Sequence, residues 1–381
     1  MVGPLAGIKI LEIAGIGPGP FCGMMLADMG AEVIVVERAG GMPANAADPL
    51  QRNRKRISIN LKTSQGISAL MLLVERADAL FEGYRPGVAE RLGIGPQDCL
   101  ARNPKLVYGR MTGWGQEGPL AQAAGHDINY IALSGALHAI GRRGERPVPP
   151  LNLVGDFGGG GMLLAFGMVC ALLEAQRSGQ GQVVDAAMID GTAALMAMNI
   201  GMQAFGMGCD QVGENPLSGA AHYYDTYETS DKKFIAIGAI EPQFYQHLIE
   251  ITGVDRKQFW PYRMAGEARA TVEDWERLRA HLAHIFKQKT RDEWCAIMEG
   301  TDVCFAPVLS LSEAPGHAHH RARGTFVKVG EVMQNAPAPR YSRTKPSIPC
   351  VSAALNEGLE DWLTAWGVYD KAKIIRASTR S

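Results

Sequence analysis

The sequence predicts an open α/β domain with a parallel sheet, followed by a second and smaller unit. Three observations carry this. Residues 7–14, GIKILEIA, suit a buried strand; a GIGPGP turn and a helical stretch over 21–30 follow; residues 31–38, AEVIVVER, read as a second strand. Strand, helix, strand in that order is the unit of a helix-covered parallel sheet. The pattern then recurs, with 65–78 helical, 79–84 a strand, 90–92 a short helix and 105–111 a strand. Near Asp225 the pattern changes: DTYETSDKKFIAIGAIEPQFYQHLIEITG reads as a hairpin turning at 230–232, then a helix from about Pro242.

Between these parts, 156–176 reads as one long helix that ends at 179–182. Residues 183–190 and the apolar stretch to 207 read as helical, and 208–219 as irregular. Two helices are expected around 275–289 and 291–298, ended by the prolines of 307–315. Residues 337–349 are proline-rich and extended, and a last helix over 359–366 is placed to pack back on the first domain. No internal repeat or low-complexity segment is present.

A chain of 381 residues is long enough for two domains at roughly 150 residues each. Its 38 basic and 39 acidic residues give a net charge of −1, so no global field favours nucleic acid or an anionic membrane. An anionic ligand must be held by local cations. The first residues lack the basic and apolar regions of a secretory signal, and ASTRS at the end is not a peroxisomal address. The apolar run 162–173 is too short to span a bilayer. A cytoplasmic protein without membrane insertion is expected. Seven cysteines, at 22, 99, 170, 209, 295, 304 and 350, form no CxxC and suit buried free thiols in a reducing compartment.

Four constellations could carry chemistry. The turn Gly15-Ile16-Gly17-Pro18-Gly19-Pro20 resembles a dinucleotide loop, but Pro20 stands at the third glycine and removes an amide a pyrophosphate would use. A nicotinamide dehydrogenase is therefore disfavoured. The cations Arg38, Arg52, Arg54, Lys55, Arg56, Lys62, Arg85 and Arg91 bracket strand ends. They form either a solvated face or a phosphate handle suited to arginine forks. In Gly125-His126-Asp127-Ile128-Asn129-Tyr130, a helix over 128–140 would place His126 at its N-terminus. The helix dipole there disfavours imidazolium, leaving a base, or else Asp127 is simply a cap beside an incidental histidine. Last, Asn152-Leu153-Val154-Gly155-Asp156 runs into Gly158–Gly161. Asp156 is an N-cap or a functional group, and four glycines in a first turn suit something that approaches the backbone closely.

Other features take ordinary readings. His281 with His284, and His317 with His319 and His320, have no carboxylate at ligand spacing, so no metal is expected. No GxSxG elbow or nucleophilic cysteine setting is present. Methionines 188, 196, 198, 202 and 207 form core or a surface for flexible apolar chains.

Taken together, GPGPFCGMMLADMGAEV, EGYRPGVAERLGIGP, GRMTGWGQEGP, AGHDINYIALSG, PPLNLVGDFGGGGM, GQVVDAAMIDG, YYDTYETSD and AIGAIEPQFY resemble the α-methylacyl-CoA racemases of the family III CoA-transferase superfamily, to about residue 350. The resemblance implies an interlocked homodimer. Each subunit would have a large Rossmann-like open-sheet domain (1–187, completed by 332–381) and a small α+β domain (225–317), joined by linkers 188–224 and 318–331. The active site would lie between the large domain of one subunit and the small domain of the other. His126 and Asp156 match the catalytic pair, Glu241 the residue that orients the histidine, and Asn152 the support of the aspartate. Acyl-CoA-binding positions carry over to Arg38, Asn60, Leu61, Lys62, Gly83, Tyr84, Arg85, Arg91 and Gly125, His126, Asp127, Ile128, Asn129, Tyr130. No cofactor is implied, because CoA is part of the substrate. A role in lipid and fatty acid metabolism follows.

The implied reaction epimerises 2-methylacyl-CoA thioesters through an enolate. His126 takes the α-proton of the (S)-substrate while Asp156 delivers one to the other face, and the roles exchange for the (R)-substrate. Both groups must titrate near working pH, and backbone N–H groups near Asp127 are candidates for the enolate oxygen. The rival within the superfamily is a CoA-transferase with Asp156 as nucleophile; a non-catalytic CoA-binding protein is the alternative from another class. Residues 213–222, with Pro216, Ser218, Ala220 and His222, depart from the racemase pattern.

Overall fold

The computed structural model describes residues 3–38, 47–206, 210–260 and 270–379. The chain forms two compact units, one from Met1–Ser134, Leu151–Leu195 and Ala318–Ser381, the other from Gly135–Pro150 and Met196–His317. Met207 and Cys209 lie outside the described residues.

The first unit is built on a six-stranded, wholly parallel sheet. Its strands are β1 (Lys9–Ile13), β2 (Glu32–Glu37), β3 (Lys55–Ser58), β4 (Ala79–Glu82), β5 (Val107–Thr112) and β6 (Val183–Ala187). Their spatial order is β3-β2-β1-β4-β5-β6. The winding therefore reverses between β1 and β4, and ligands of such sheets bind at the carboxyl ends of the strands beside the reversal. β1 and β4 are buried along nearly their whole length, because helices cover both faces. One core layer joins the sheet to helix Ser64–Val74 and to the returning tail, through Leu359, Trp362, Leu363, Trp366 and Ile374. The other layer packs helices Pro18–Asp28 and Leu163–Ser178 on β1, β4 and β5, through Cys22, Leu26, Phe81, Leu164 and Met168. The hairpin β10 (Phe326–Val329) and β11 (Val332–Asn335) precedes the tail helices.

Several local expectations change. Residues 183–187 are a strand and not a helix: Val183–Ala187 pairs with Tyr108–Thr112, and helix begins only at Met188. Pairing with a preformed edge overrides the ambiguous pattern of VVDAA. β3 was hidden by its charges, which suit an edge strand. The expected 156–176 helix opens as a π-helical segment, Leu153–Met162, before the α-helix Leu163–Ser178. The 128–140 helix is two, Asp127–Leu133 and Ala136–Ala139, divided at Gly135 with φ +86°. Of the described cysteines only Cys22 and Cys99 are buried, and Cys170, Cys304 and Cys350 are exposed.

Helical structure from Leu153 to Ser178 makes the apolar stretch longer than the 162–173 run suggested. Among the described residues this is the one helix that passes a bilayer-spanning test of length and composition, and 44% of its apolar window is buried within the protein.

The second unit carries the antiparallel sheet β7 (Tyr224–Glu228), β8 (Phe234–Gly238) and β9 (Phe305–Val308). Helices Pro242–Thr252, Val272–Phe286 and Arg291–Met298 share a core with it, centred on Tyr227, Tyr245, Leu278, Phe286 and Trp294. Thr271 and Thr290 cap the last two helices in reciprocal boxes with Asp274 and Glu293.

Candidate active site

At the carboxyl ends of β1 to β4 the first unit opens a cavity of about 960 Å³. Arg38, at the end of β2, lines it, with Asn60, Leu61 and Lys62 after β3 and Tyr84 after β4. Gly15, Ile16, Gly17 and Pro20 of the first turn form another wall. Gly83, Arg85 and Arg91 are exposed nearby but do not line it.

The basic run divides by environment. Arg52, Arg54 and Arg56 are buried and hold Asp28, Glu12 and Glu37, so their charge is spent inside the fold. Arg54 and Arg56 line the cavity as halves of these pairs. Arg38 and Lys62 are exposed there, with no carboxylate at ion-pair distance among the described residues. Among the described residues that line the cavity, these two cations are open to an anion.

The second feature of the unit joins three chain segments. His126 is exposed and stands just before helix Asp127–Leu133, its backbone N–H donating to the Asn129 side chain at 3.0 Å. Asp156 lies in the π-helical segment. The Asn152 amide donates to its Oδ2 at 3.2 Å, and its own N–H donates to Asp127 Oδ2 at 2.7 Å. The turn after β1 completes the group: a Cβ on Gly17 would stand 3.2 Å from Asp156 Oδ2.

Burial pushes the Asp156 carboxyl above the usual range; the Asn152 hydrogen bond opposes this, the Asp127 charge adds to it, and His126 opposes it. His126 and Asp156 are thus within electrostatic reach, and Asp156 keeps a proton more readily than an ordinary aspartate. Tyr130 is buried edge-on against Trp114, centroids 4.8 Å apart. Burial raises its phenol pKa, the Asp156 charge adds, and Arg85 opposes. Ile128 and Asn129 are exposed, and Gly125 leaves room for the Tyr130 ring, which a Cβ would meet at 2.8 Å.

The profile of CoA-transferase family III matches residues 5–352. The chain belongs to CoA-transferase family III. This family III chain is 46% identical over 346 residues to the alpha-methylacyl-CoA racemase of Mus musculus, covering 91% of this chain and 88% of that protein. It is 42% identical over 346 residues to the alpha-methylacyl-CoA racemase of Homo sapiens, with the same coverage of 91% and 88%. Among solved structures, a CAIB/BAIF family protein from Brucella suis superposes with a TM-score of 0.80 at 25% identity, over 96% of this chain and all of that one.

Within the family III fold the glycines of 155–161 serve packing between protein segments. A Cβ on Gly155 would meet Asp127 Oδ2 at 2.5 Å, on Gly159 the Thr192 backbone at 2.7 Å, and on Gly161 the Pro18 carbonyl at 2.6 Å. What approaches the backbone closely is the protein itself. Glu241 is in the second unit, exposed and just before helix Pro242–Thr252. Burial raises the thiol pKa of Cys304, and the Glu241 charge adds to it. His222 is a core residue of that unit, fully buried, with Nε2 2.6 Å from Tyr245 Oη. Burial, helped by Arg279 and Arg277, holds its pKa down to about 3. In the sequence Gly17 stands in a turn that resembles a dinucleotide loop, and Asp127 reads as a helix cap or an acyl-CoA position. Side-chain contacts between distant segments, which spacing does not encode, give both a place beside Asp156.

Proposed function

We propose that the protein is an α-methylacyl-CoA racemase, an isomerase that epimerises (R)- and (S)-2-methylacyl-CoA thioesters by 1,1-proton transfer. The observation that carries this reading is Asp156: its carboxyl is raised by burial while His126 acts on it from a separate segment. A two-base exchange needs such a pair, with one group protonated while the other is not. The relatives named alpha-methylacyl-CoA racemase support the substrate class. His126 takes the α-proton of the (S)-ester and Asp156 returns one to the opposite face; the (R)-ester reverses the roles. Asn152 steadies the Asp156 carboxylate. CoA enters as part of the substrate, at Arg38, Asn60, Leu61, Lys62, Gly83, Tyr84, Arg85, Arg91 and the 125–130 segment, and no cofactor is required.

We further propose a cytoplasmic homodimer, with 188–224 and 318–331 as linkers and Glu241 of the partner subunit orienting His126. The apolar side chains Phe166, Val169, Leu173 and Leu195, left exposed on the first unit, support cover by a second copy.

The test follows (R)- and (S)-2-methylacyl-CoA by NMR in D₂O. The parent should wash out the α-proton and epimerise. Asp156→Asn should still exchange the proton facing His126 but not epimerise; full racemisation by that variant would sink the two-base scheme. CoA exchange with a free acid would instead make Asp156 the nucleophile of a CoA-transferase. A mixture of His126→Ala and Glu241→Ala should recover part of the activity if the site is shared between subunits.

A further inference from the structure

The Asp127 carboxylate faces away from solvent, with 6% of the residue exposed. Its Oδ2 accepts the Asp156 N–H at 2.7 Å, and its Oδ1 has no hydrogen-bond partner among the described residues. Two features of the chain permit the contact. Asp156 is in the first turn of the Leu153–Met162 segment, where backbone N–H groups lack a partner within the helix. The first i to i−5 bond of the segment runs from Phe157 N–H to the Asn152 carbonyl, leaving the N–H of Asp156 open. Gly155 is the second feature, because any Cβ there would stand 2.5 Å from the same Oδ2.

We propose that Asp127 is a positioning residue: its buried carboxylate ties the backbone of Asp156 to the segment of His126 and so sets the gap in which the substrate α-carbon gives a proton to one group and takes one from the other. The inference rests on the acid/base reading above. The tether spans two segments far apart in sequence, and its two ends are the neighbour of one reacting group and the amide of the other. Asp127 also places a negative charge beside Asp156, which favours the protonated carboxyl after burial has done so. The titratable groups that face Asp156 are Asp127, His126 and Tyr130. The turn after β1 and helix Met188–Leu195 meet the π-helical segment through Gly17, Pro18, Gly191 and Thr192, none of which titrates.

Two variants separate tether from charge. Asp127→Asn keeps an acceptor for the Asp156 N–H and removes the charge, whereas Asp127→Ala removes both. Misplacement by about 1 Å costs on the order of 100-fold in rate, so Asp127→Ala should lose about 100-fold in kcat with KM within a few-fold. Asp127→Asn should stay within about tenfold, since a neutral acceptor gives a hydrogen bond roughly half as strong. Its pH profile should move to lower pH on the limb set by Asp156, because the Asp127 charge that favours the protonated carboxyl is gone. A merely structural loss would lower the profile without moving it. Hydrogen–deuterium exchange over residues 153–158 reads the tether without activity: protection should fall in Asp127→Ala and persist in Asp127→Asn. Parental kcat and parental protection in Asp127→Ala would overturn the proposal. Loss of protection with a parent that neither exchanges nor epimerises 2-methylacyl-CoA would keep the tether and refute the racemase reading. If Asp127→Ala does not fold, an unmoved pH profile in Asp127→Asn overturns the proposal alone.

Discussion

Gly17→Ala adds one methyl group at the point where the first turn meets Asp156, and its effects can be worked out separately. Gly17 has φ +67° and ψ −114°, a combination open to glycine and costly for an L-residue. Holding alanine there costs on the order of 1–3 kcal/mol. For a unit of this size that lowers the melting temperature by roughly 2–12 °C. The new Cβ would lie 3.2 Å from Asp156 Oδ2 and 3.6 Å from Cγ, a few tenths of an ångström too close to the oxygen. Asp156 cannot move freely, since the same Oδ2 accepts the Asn152 amide and its N–H is held by Asp127. If a 1 Å misplacement costs on the order of 100-fold, a shift of this size costs about 3- to 10-fold in kcat. The methyl also removes water from the carboxyl and raises its pKa further, so the pH profile should shift upward. The assay is epimerisation of 2-methylacyl-CoA across pH beside a thermal melt. A lowered melting temperature with kcat within twofold of the parent would refute the Asp156 contact and leave Gly17 a purely conformational residue.

Three further predictions concern buried charge. Glu12 and Arg54 are paired with side chains 2% and 3% exposed, and Arg54→Met should destabilise by about 3–5 kcal/mol because a buried carboxylate loses its partner. The double variant Glu12→Met/Arg54→Met should recover most of this in denaturant titrations, and a single-variant cost below about 1 kcal/mol would contradict the account. Glu82 is buried, accepts the Tyr84 N–H at 2.6 Å, and has its pKa raised by burial from 4.5 to about 7, against the opposing pull of that bond and Arg110. The native state then holds a proton the unfolded chain has released, so stability is lost as pH rises from 4.5 to about 7. Glu82→Gln should remove that slope, worth at most ~3 kcal/mol, and an unchanged slope in melts over this window would show that Glu82 is not its source. His222 has the opposite sign. Its pKa falls from 6.5 to about 3, so the unfolded chain binds the proton first and stability is lost as pH falls through that window. His222→Phe should flatten the acid limb, and Tyr245 keeps its hydrogen bond to the Phe259 carbonyl; an acid limb as steep as the parent's would count against the assignment.

Elements that announce themselves locally were legible in the sequence. β1, β2, β4 and β5 are short, mostly apolar runs, and the β7–β8 hairpin and the helix at Pro242 carry their own punctuation. Elements defined by partners were not. Lys55 and Arg56 look like a solvated face until Glu32 and Glu37 of the neighbouring strand are set beside them. Val183–Ala187 looks helical until β5 offers it an edge. The site divides along the same line. His126 and Asp156 could be singled out because a histidine before a helix and an aspartate before a glycine run are unusual in one dimension. Asp127, Gly155 and Gly17 owe their importance to being opposite one another in three. A buried carboxylate, a missing Cβ and a backbone N–H left over at the start of a helix each look ordinary alone. Together they fix one oxygen of Asp127 2.7 Å from the Asp156 amide, which is why the part of the site that sets its geometry is the part the sequence shows least.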